Sequence, residues 1–172
     1  TLDIQHRMFA QLSNIVKSIS YPMLTDAATI AAAQPKPVPG TSAQLFFMNH
    51  SFKEGGMSQN DDNASTKLNT EEAALIVKFA WYLTHQNIPQ SDIAIISPYL
   101  GQVKEIQRML KKEKLGVTIA EGDAEDMARE ATFDDDDDGN INDKQKVVDD
   151  GIRVATIDNF QGEESKYVLI SL

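Results

Sequence analysis

Three short segments of this chain combine polar and apolar residues in patterns that can do chemistry. They are Leu-Asp-Ile-Gln-His-Arg-Met at 2–8, Ile-Ser-Pro-Tyr-Leu-Gly-Gln at 96–102 and Val-Ala-Thr-Ile-Asp-Asn-Phe-Gln-Gly-Glu-Glu at 154–164. Each places polar side chains beside an apolar run or at the predicted start of a helix. In a parallel α/β sheet, the loops after the strands face one crevice, where ligands bind. The last two segments follow predicted strands, so their side chains are expected to converge on a site suited to an anion.

The elements that must position these segments alternate along the chain. Apolar runs of strand length and amphipathic stretches of 14–17 residues predict an α/β domain with a mainly parallel sheet. The best-marked helix begins at Asn69, whose side chain can cap it, with Glu72 completing a capping-box pair. The predicted strands are 45–48, 93–96, 117–119, 152–157 and 167–172, and the predicted helices are 6–19, 69–86 and 99–114.

Composition limits the class of protein. The chain has 172 residues, of which 41% are hydrophobic and 24% are charged, as expected for one globular domain. The absence of cysteine excludes disulfides and thiolate zinc sites. No apolar stretch is long enough to predict a membrane span. Both ends resemble cuts in a larger protein, since Thr1 is not an initiator methionine and the chain stops within an apolar run.

The charge of the chain is concentrated in one segment. Residues 121–150 hold 13 acidic and 3 basic residues, a net charge of −10, whereas the other residues carry 13 of each sign. A block of like charge is most simply a solvated loop. The low isoelectric point therefore does not exclude a nucleic-acid partner for the rest of the chain.

The three segments, in this order, resemble the second RecA-like domain of superfamily 1 helicases, in the branch of the nonsense-mediated-decay RNA helicase. The first resembles a Gln-Tyr-Arg-Met motif, the second Thr-Pro-Tyr-x-x-Gln and the third Val-Asp-x-Phe-Gln-Gly-x-Glu. The third is most similar to helicases with NFX-type zinc fingers, including a fungal group tied to RNA silencing. The resemblance implies a RecA-like lobe over residues 1–172, with residues 120–150 as an acidic insertion.

The resemblance assigns nucleotide-side roles to the first and third motifs. Arg7 matches an arginine that reaches the ATP γ-phosphate, and guanidinium binds phosphate oxygens bidentately. Gln5 belongs to the same motif and is expected to position Arg7, while His6 occupies the place of an aromatic residue near the adenine. Glu164 matches a glutamate that accepts a hydrogen bond from the ribose. The same loop contributes Gly162, which allows close backbone approach, and Gln161, which couples the nucleotide to the nucleic acid.

Other positions match the nucleic-acid side of the family. Ser97 and Thr156 match hydroxyls that contact the nucleic-acid backbone, and such contacts position a strand without reading its sequence. The implied nucleic-acid-binding residues are Ser97, Pro98, Tyr99, Thr156 and Asp158. Together with Arg7 and Glu164, the two hydroxyls are expected to line one open cleft.

The resemblance implies ATP and Mg²⁺ as cofactors, held mainly by a first RecA-like lobe outside this chain. The sequence contains no G-x-x-x-x-G-K-[ST] phosphate loop, so the chain alone is not expected to hydrolyse ATP. The expected partners are single-stranded RNA or DNA and the first lobe of the same protein, with no membrane. Residence is expected inside the cell, either nuclear or cytoplasmic.

The acidic insertion and the parent protein leave alternatives open. Asp134, Asp136, Asp138 and Asn140 fit the first four ligand positions of an EF-hand calcium loop, but Gln145 stands where a bidentate glutamate belongs. The insertion could equally be a solvated, disordered loop or an intramolecular mimic of nucleic acid. The whole chain could also be a non-catalytic, helicase-derived module that binds nucleic acid or acts as a scaffold. Glu163 offers an alternative register for the role of Glu164.

Overall fold

A computed structural model describes residues 3–32, 37–53, 67–131 and 150–172 of the chain. The chain divides into two compact units, Thr1–His50 and Ser51–Leu172, which are described separately. Among the described residues, none of the helices is both long and apolar enough to cross a membrane.

The first unit contains two very short strands and two helices. Its elements are β1 (Ile4–Gln5), α1 (Ala10–Ile19), β2 (Thr25–Asp26) and α2 (Ala28–Ala32), with β1 and β2 paired in parallel. Helix α1 begins four residues later than predicted, because the side chain of Gln5 holds the backbone of residues 7 and 8 in a non-helical turn. Phe9 is extended and serves as the N-cap residue.

One strand prediction for the first unit is wrong, and helix α1 buries little of its apolar surface. Ser13 is the buried residue of α1, and Ile19 is 76% exposed. Residues 45–48 form no strand, and Phe47 is 78% exposed. A strand needs a neighbour to pair with, and the described part of this small unit offers only the two-residue β1–β2 pair.

The second unit begins its regular structure with the helix that the sequence marks most clearly. Helix α3 spans Thr70–His85, and the Asn69 side chain caps it by accepting a 3.0 Å bond from the amide of Glu72. This confirms the predicted cap. The backbone amide of Asn69, which a capping box would pair with Glu72, donates to Gln102, and the Glu72 carboxylate accepts from Ser171 and Leu172.

A four-stranded parallel sheet follows, in the order β4–β5–β3–β6. Its strands are β3 (Ile93–Ser97), β4 (Val117–Ile119), β5 (Ile152–Thr156) and β6 (Tyr167–Ile170), and each neighbouring pair is parallel. The apolar run of β3 predicts a central strand, and Ile93, Ala94 and Ile95 are fully buried. The predicted α/β architecture with a parallel sheet is confirmed.

Two further helices flank this sheet. Helix α4 (Leu100–Lys112) packs against α3 and the sheet and buries Val103, Ile106 and Leu110 completely. Helix α5 (Glu121–Ala131) occupies the start of the predicted insertion and lies outside the sheet. The first turn of α5 is hydrogen-bonded to the segment at the end of β5.

One aromatic residue of α3 lies on the exposed face of the helix. Trp81 on α3 is 44% exposed and stacks on His85 one turn later, with ring centroids 3.7 Å apart. A helix that packs on one side only exposes its other face, and residues at i and i+4 meet there. His85 therefore has the aromatic partner that the sequence did not reveal.

Candidate functional site

In the first unit, Gln5 organises the turn that carries Arg7. Its carbonyl oxygen accepts from the backbone amides of Arg7 at 2.8 Å and Met8 at 2.7 Å. Its amide nitrogen donates to the Met8 carbonyl at 2.7 Å and to Asp26 at 2.8 Å. Arg7 and His6 are exposed on this turn. The contacts of Gln5 are those of a residue that positions Arg7.

Asp26 holds Gln5 in place. Besides the Gln5 amide, its carboxylate accepts from the Ser13 hydroxyl at 2.9 Å and the Lys17 ammonium at 3.0 Å. The hydrogen bonds from Gln5 and Lys17 lower the pKa of Asp26 below its ordinary value. The carboxylate thus remains ionised and keeps the Gln5 turn in one orientation.

In the second unit, Ser97 and Thr156 are neighbours, as the sequence predicts. They pair in register at the carboxyl ends of β3 and β5, and the Ser97 carbonyl accepts from the amide of Ile157 at 3.1 Å. Ser97 is only 1% exposed, so its hydroxyl faces the interior in this arrangement. The geometry favours a role in shaping the strand end over a direct contact with a nucleic acid.

Thr156 is hydrogen-bonded to a residue that the sequence analysis did not identify as part of the site. Its hydroxyl donates to Asp123 of α5 at 2.6 Å, and its amide donates to the other oxygen of that carboxylate at 2.8 Å. The side-chain amide of Asn159 adds a third donor at 2.6 Å. Because a carboxylate only accepts, the single hydroxyl proton of Thr156 is directed at Asp123.

Tyr99 and Lys67 lie together near the same edge. The ammonium nitrogen of Lys67 is 3.2 Å from the Tyr99 hydroxyl oxygen and 5.0 Å from the ring centroid. The backbone amide of Tyr99 approaches the Ser97 hydroxyl at 3.4 Å. Lys67 is exposed, and Pro98 is exposed beside Tyr99. A cation and an aromatic ring at one exposed edge can bind a phosphate and a base.

The loop after Thr156 runs back to the amino ends of the strands. At its far end, the Ser165 hydroxyl donates to the Asp92 carbonyl at 2.7 Å, and the Lys166 ammonium contacts the Asp92 carboxylate at 2.8 Å. That contact raises the pKa of Lys166 above its ordinary value. Gly162 turns the loop with φ = +85°, where an added Cβ would meet no atom within 4 Å. Glycine is therefore required here by the backbone angle and not by close packing.

Glu163 and Glu164 take different roles in this loop. Glu163 makes a two-pronged ion pair with Arg153, the second residue of β5. Glu164 lines a depression of about 200 Å³ with neighbours that include Ser91 and Gly151. These neighbours precede their strands, so Glu164 lies toward the amino ends and not beside Ser97 and Thr156. The expectation of one shared cleft fails for Glu164, because the loop must return to start a parallel strand.

Asp158 and Gln161 of the third motif are exposed. Asp158 lies in a 3₁₀ turn directly after β5, and Gln161 follows that turn. Arg7 belongs to the other unit, so its place relative to these residues stays a prediction.

A buried polar network ties three parts of the second unit together. Gln102 accepts from the Asn69 amide at 2.8 Å and donates to the Asn69 carbonyl at 3.1 Å and the Ser171 hydroxyl at 3.0 Å. Ser171 and the amide of Leu172 in turn donate to Glu72 at 2.7 Å and 2.9 Å. The glutamine of the second motif thus joins the starts of α3 and α4 to the end of β6.

The proposed calcium loop, Asp134, Asp136, Asp138 and Asn140, lies outside the described residues. Within the described ranges, no group of three or more His, Cys, Asp or Glu side chains is arranged to hold a metal ion.

The residues that sequence reasoning missed all act through tertiary contacts. Asp26, Asp123 and Lys67 are each remote in sequence from the motif residue they touch. Of these three residues, Lys67 had a signal in the sequence. It lies two positions before the capping residue Asn69, and a marked helix start fixes where the preceding residues lie.

Comparison with known proteins identifies the class. All of residues 1–172 match the model of the AAA domain family. The fission yeast "Helicase required for RNAi-mediated heterochromatin assembly 1" is 30% identical over 99% of this chain, which corresponds to 13% of that protein. The mouse "NFX1-type zinc finger-containing protein 1" is 25% identical over 99% of the chain and 7% of its own length.

A third relative comes from the nonsense-mediated-decay branch. The Arabidopsis "Regulator of nonsense transcripts 1 homolog" is 26% identical over 99% of the chain and 11% of its own length. The chain therefore belongs to the AAA domain family, within the superfamily 1 helicases of the NFX1-type and RNAi-linked branch. It spans about a tenth of the length of these relatives.

Proposed function

We propose that the chain is the second motor lobe of an ATP-dependent helicase that acts on RNA or DNA. The observation that carries the proposal is the match of the entire chain to a family whose similar members are named helicases. The parallel sheet of the second unit and the order of the three motifs along the chain support the same proposal. In this proposal the lobe works with a first RecA-like lobe and does not hydrolyse ATP alone.

The nucleotide side of the proposal depends on the Gln5 turn and the Glu164 loop. Gln5 and Asp26 fix the turn that presents Arg7 toward an ATP held by the first lobe. His6, on the same turn, lies where the family places an aromatic group. Glu164, exposed in its depression, accepts from the ribose, and Gln161 and Gly162 shape the loop that carries it. Magnesium, when bound, neutralises charge on the phosphates.

The nucleic-acid side of the proposal is the carboxyl edge of the sheet. Tyr99 offers a ring for a base and Lys67 a charge for a phosphate, with Pro98 beside them. Ser97 and Thr156 hold the strand ends in register, and Asp158 begins the loop toward the nucleotide side. Backbone and stacking contacts of this kind are independent of sequence, as a translocating enzyme requires.

We propose that the full-length protein acts inside the cell, in the nucleus or the cytoplasm, and that its substrate is RNA. The printed names of two relatives refer to RNAi-mediated heterochromatin assembly and to nonsense transcripts. We therefore propose single-stranded RNA as the first substrate to test, and RNA silencing as the first process.

The test is ATP hydrolysis by the full-length protein with and without single-stranded RNA and single-stranded DNA. The proposal predicts stimulation by a single strand and no hydrolysis by the 172-residue chain alone. A full-length protein that binds RNA but hydrolyses no ATP would instead support the non-catalytic module. Calcium titration by calorimetry tests the EF-hand alternative, which millimolar calcium without heat would remove.

Lys67→Gln is expected to weaken binding of single-stranded RNA by the full-length protein several-fold. Loss of one phosphate contact should also reduce the slope of log affinity against log salt by about 0.7. Fluorescence anisotropy at several salt concentrations measures both quantities. Lys78→Gln is the matched control, since Lys78 is an exposed lysine within α3. Equal affinity and slope for the two variants would place Lys67 outside the interface.

A further inference from the structure

The side chain of Asp123 is completely buried, although it lies in the most acidic part of the chain. A buried carboxylate is costly unless hydrogen bonds compensate the lost water. Here three donors do so: the amide and hydroxyl of Thr156 and the side-chain amide of Asn159, at 2.6–2.8 Å. All three belong to the segment just after or at the end of β5. The contact therefore joins the inserted helix to the third motif.

The first turn of α5 is also packed tightly against the same segment. A Cβ added at Gly122 would lie 2.5 Å from the side-chain oxygen of Asn159. In contrast, Asp126 and Arg129 on the same helix are largely exposed and pair with each other at 3.5 Å. The first turn of α5 contacts the motif through Gly122 and Asp123, whereas Asp126 and Arg129 further along the helix face the solvent.

We infer that Asp123 is a positioning residue for the third motif. By fixing that motif, Asp123 also supports the binding of a nucleic-acid strand by the lobe. Three hydrogen bonds to one charged group fix both the end of β5 and the 3₁₀ turn that follows it. The turn begins the path from the nucleic-acid edge toward Glu164. This inference rests on the proposed function, because it assigns Asp123 to the proposed nucleic-acid edge.

The variant Asp123→Asn in the full-length protein tests the inference. It removes the charge and faces one amide group against another at Asn159. We expect the RNA concentration for half-maximal stimulation of ATP hydrolysis to rise about tenfold, as loss of a hydrogen bond to a charged group implies. The KM for ATP without RNA is expected to change less than twofold. If the variant merely had a smaller folded fraction, every rate would fall by the same factor. The RNA concentration for half-maximal stimulation and the KM for ATP would then stay unchanged.

Three further variants sharpen the test. Asp126→Asn makes the same chemical change at an exposed position of α5 and is expected to behave as wild type. The double variant Asp123→Asn/Asn159→Asp reverses donor and acceptor across the contact. It is expected to return the RNA concentration for half-maximal stimulation most of the way to the wild-type value. Gly122→Ala favours the helix while it pushes on Asn159. It is expected to raise that RNA concentration without loss of thermal stability, which keeps the inference testable if Asp123→Asn folds poorly.

Hydrogen exchange of the full-length protein supplies a readout that needs no catalysis. Asp123→Asn should speed exchange at Thr156 and through residues 157–160 about tenfold, with no change at α3. If Asp123→Asn matched Asp126→Asn both in exchange rates and in the RNA concentration for half-maximal stimulation, the inference would be overturned, even if RNA stimulates the wild type. A wild type that RNA does not stimulate would refute the proposed function, and with it the assignment of Asp123 to a nucleic-acid edge.

Discussion

Arg7→Ala is expected to lower the RNA-stimulated kcat of the full-length protein by about 10³–10⁵-fold, the usual contribution of an arginine finger. The transition state of phosphoryl transfer spreads negative charge over the phosphate oxygens, and a fixed guanidinium stabilises it without reorganisation. Gln5 fixes the backbone that carries this guanidinium, since its side-chain oxygen accepts from the amides of Arg7 and Met8. The KM for ATP is expected to change little, because the first lobe provides most of the binding.

Steady-state hydrolysis at saturating RNA measures this effect, and conservative variants separate its causes. Arg7→Lys keeps the charge but loses the bidentate geometry, so an intermediate rate is expected. Gln5→Ala keeps Arg7 but frees its turn, and is also expected to be intermediate. Arg129→Ala removes an arginine that is 73% exposed on α5 and serves as the matched control. If Arg7→Ala retained a rate within tenfold of the control, Arg7 would not act on the transferred phosphate.

Gln102→Leu is expected to lower the free energy of unfolding by about 3 kcal/mol, a large share of the stability of an ordinary domain. Leucine preserves the approximate volume but leaves the buried amide of Asn69 without its partner. It also removes one of the two donors to the Asn69 carbonyl, which keeps its bond from the Ala73 amide. It also removes the donor to Ser171, and so weakens the link between α4 and the end of β6. Each buried polar group left unpaired costs about 1–3 kcal/mol.

Chemical denaturation of the 172-residue chain measures this loss, with the fluorescence of Trp81, the only tryptophan, as the probe. Gln107→Leu is a close control on the same helix. Gln107 is also buried, but among the described residues its side-chain nitrogen has no hydrogen-bond partner. We expect this control to be neutral or stabilising. A similar loss for both variants would show that packing volume, and not the Asn69–Gln102–Ser171 network, determines the stability.

The sequence predicted the second unit far better than the first. The apolar runs at 93–96, 117–119 and 152–157 became neighbouring strands, and Asn69 capped its helix as expected. These features are local: a continuous apolar run suits a strand buried on both faces, and a side chain can cap a helix within its own turn. In the first unit, the strand predicted at 45–48 is wrong, because a strand needs a pairing partner and a local sequence pattern does not show whether one is present.

The same distinction applies to the site. The sequence by itself determined which residue types stand at the ends of β3 and β5, and that Ser97 and Thr156 lie at the same edge, because parallel strands end at one edge. The tertiary structure made β3 and β5 neighbours and paired the two residues in register. Only the tertiary structure decided where their hydroxyls point. Asp123 lies 33 positions before Thr156 and accepts a hydrogen bond from its hydroxyl, while Asp26 lies 21 positions after Gln5 and accepts one from its side-chain amide. Hydrogen bonds between residues that are distant in sequence depend on how the chain packs, so the spacing of side chains along the sequence does not predict them.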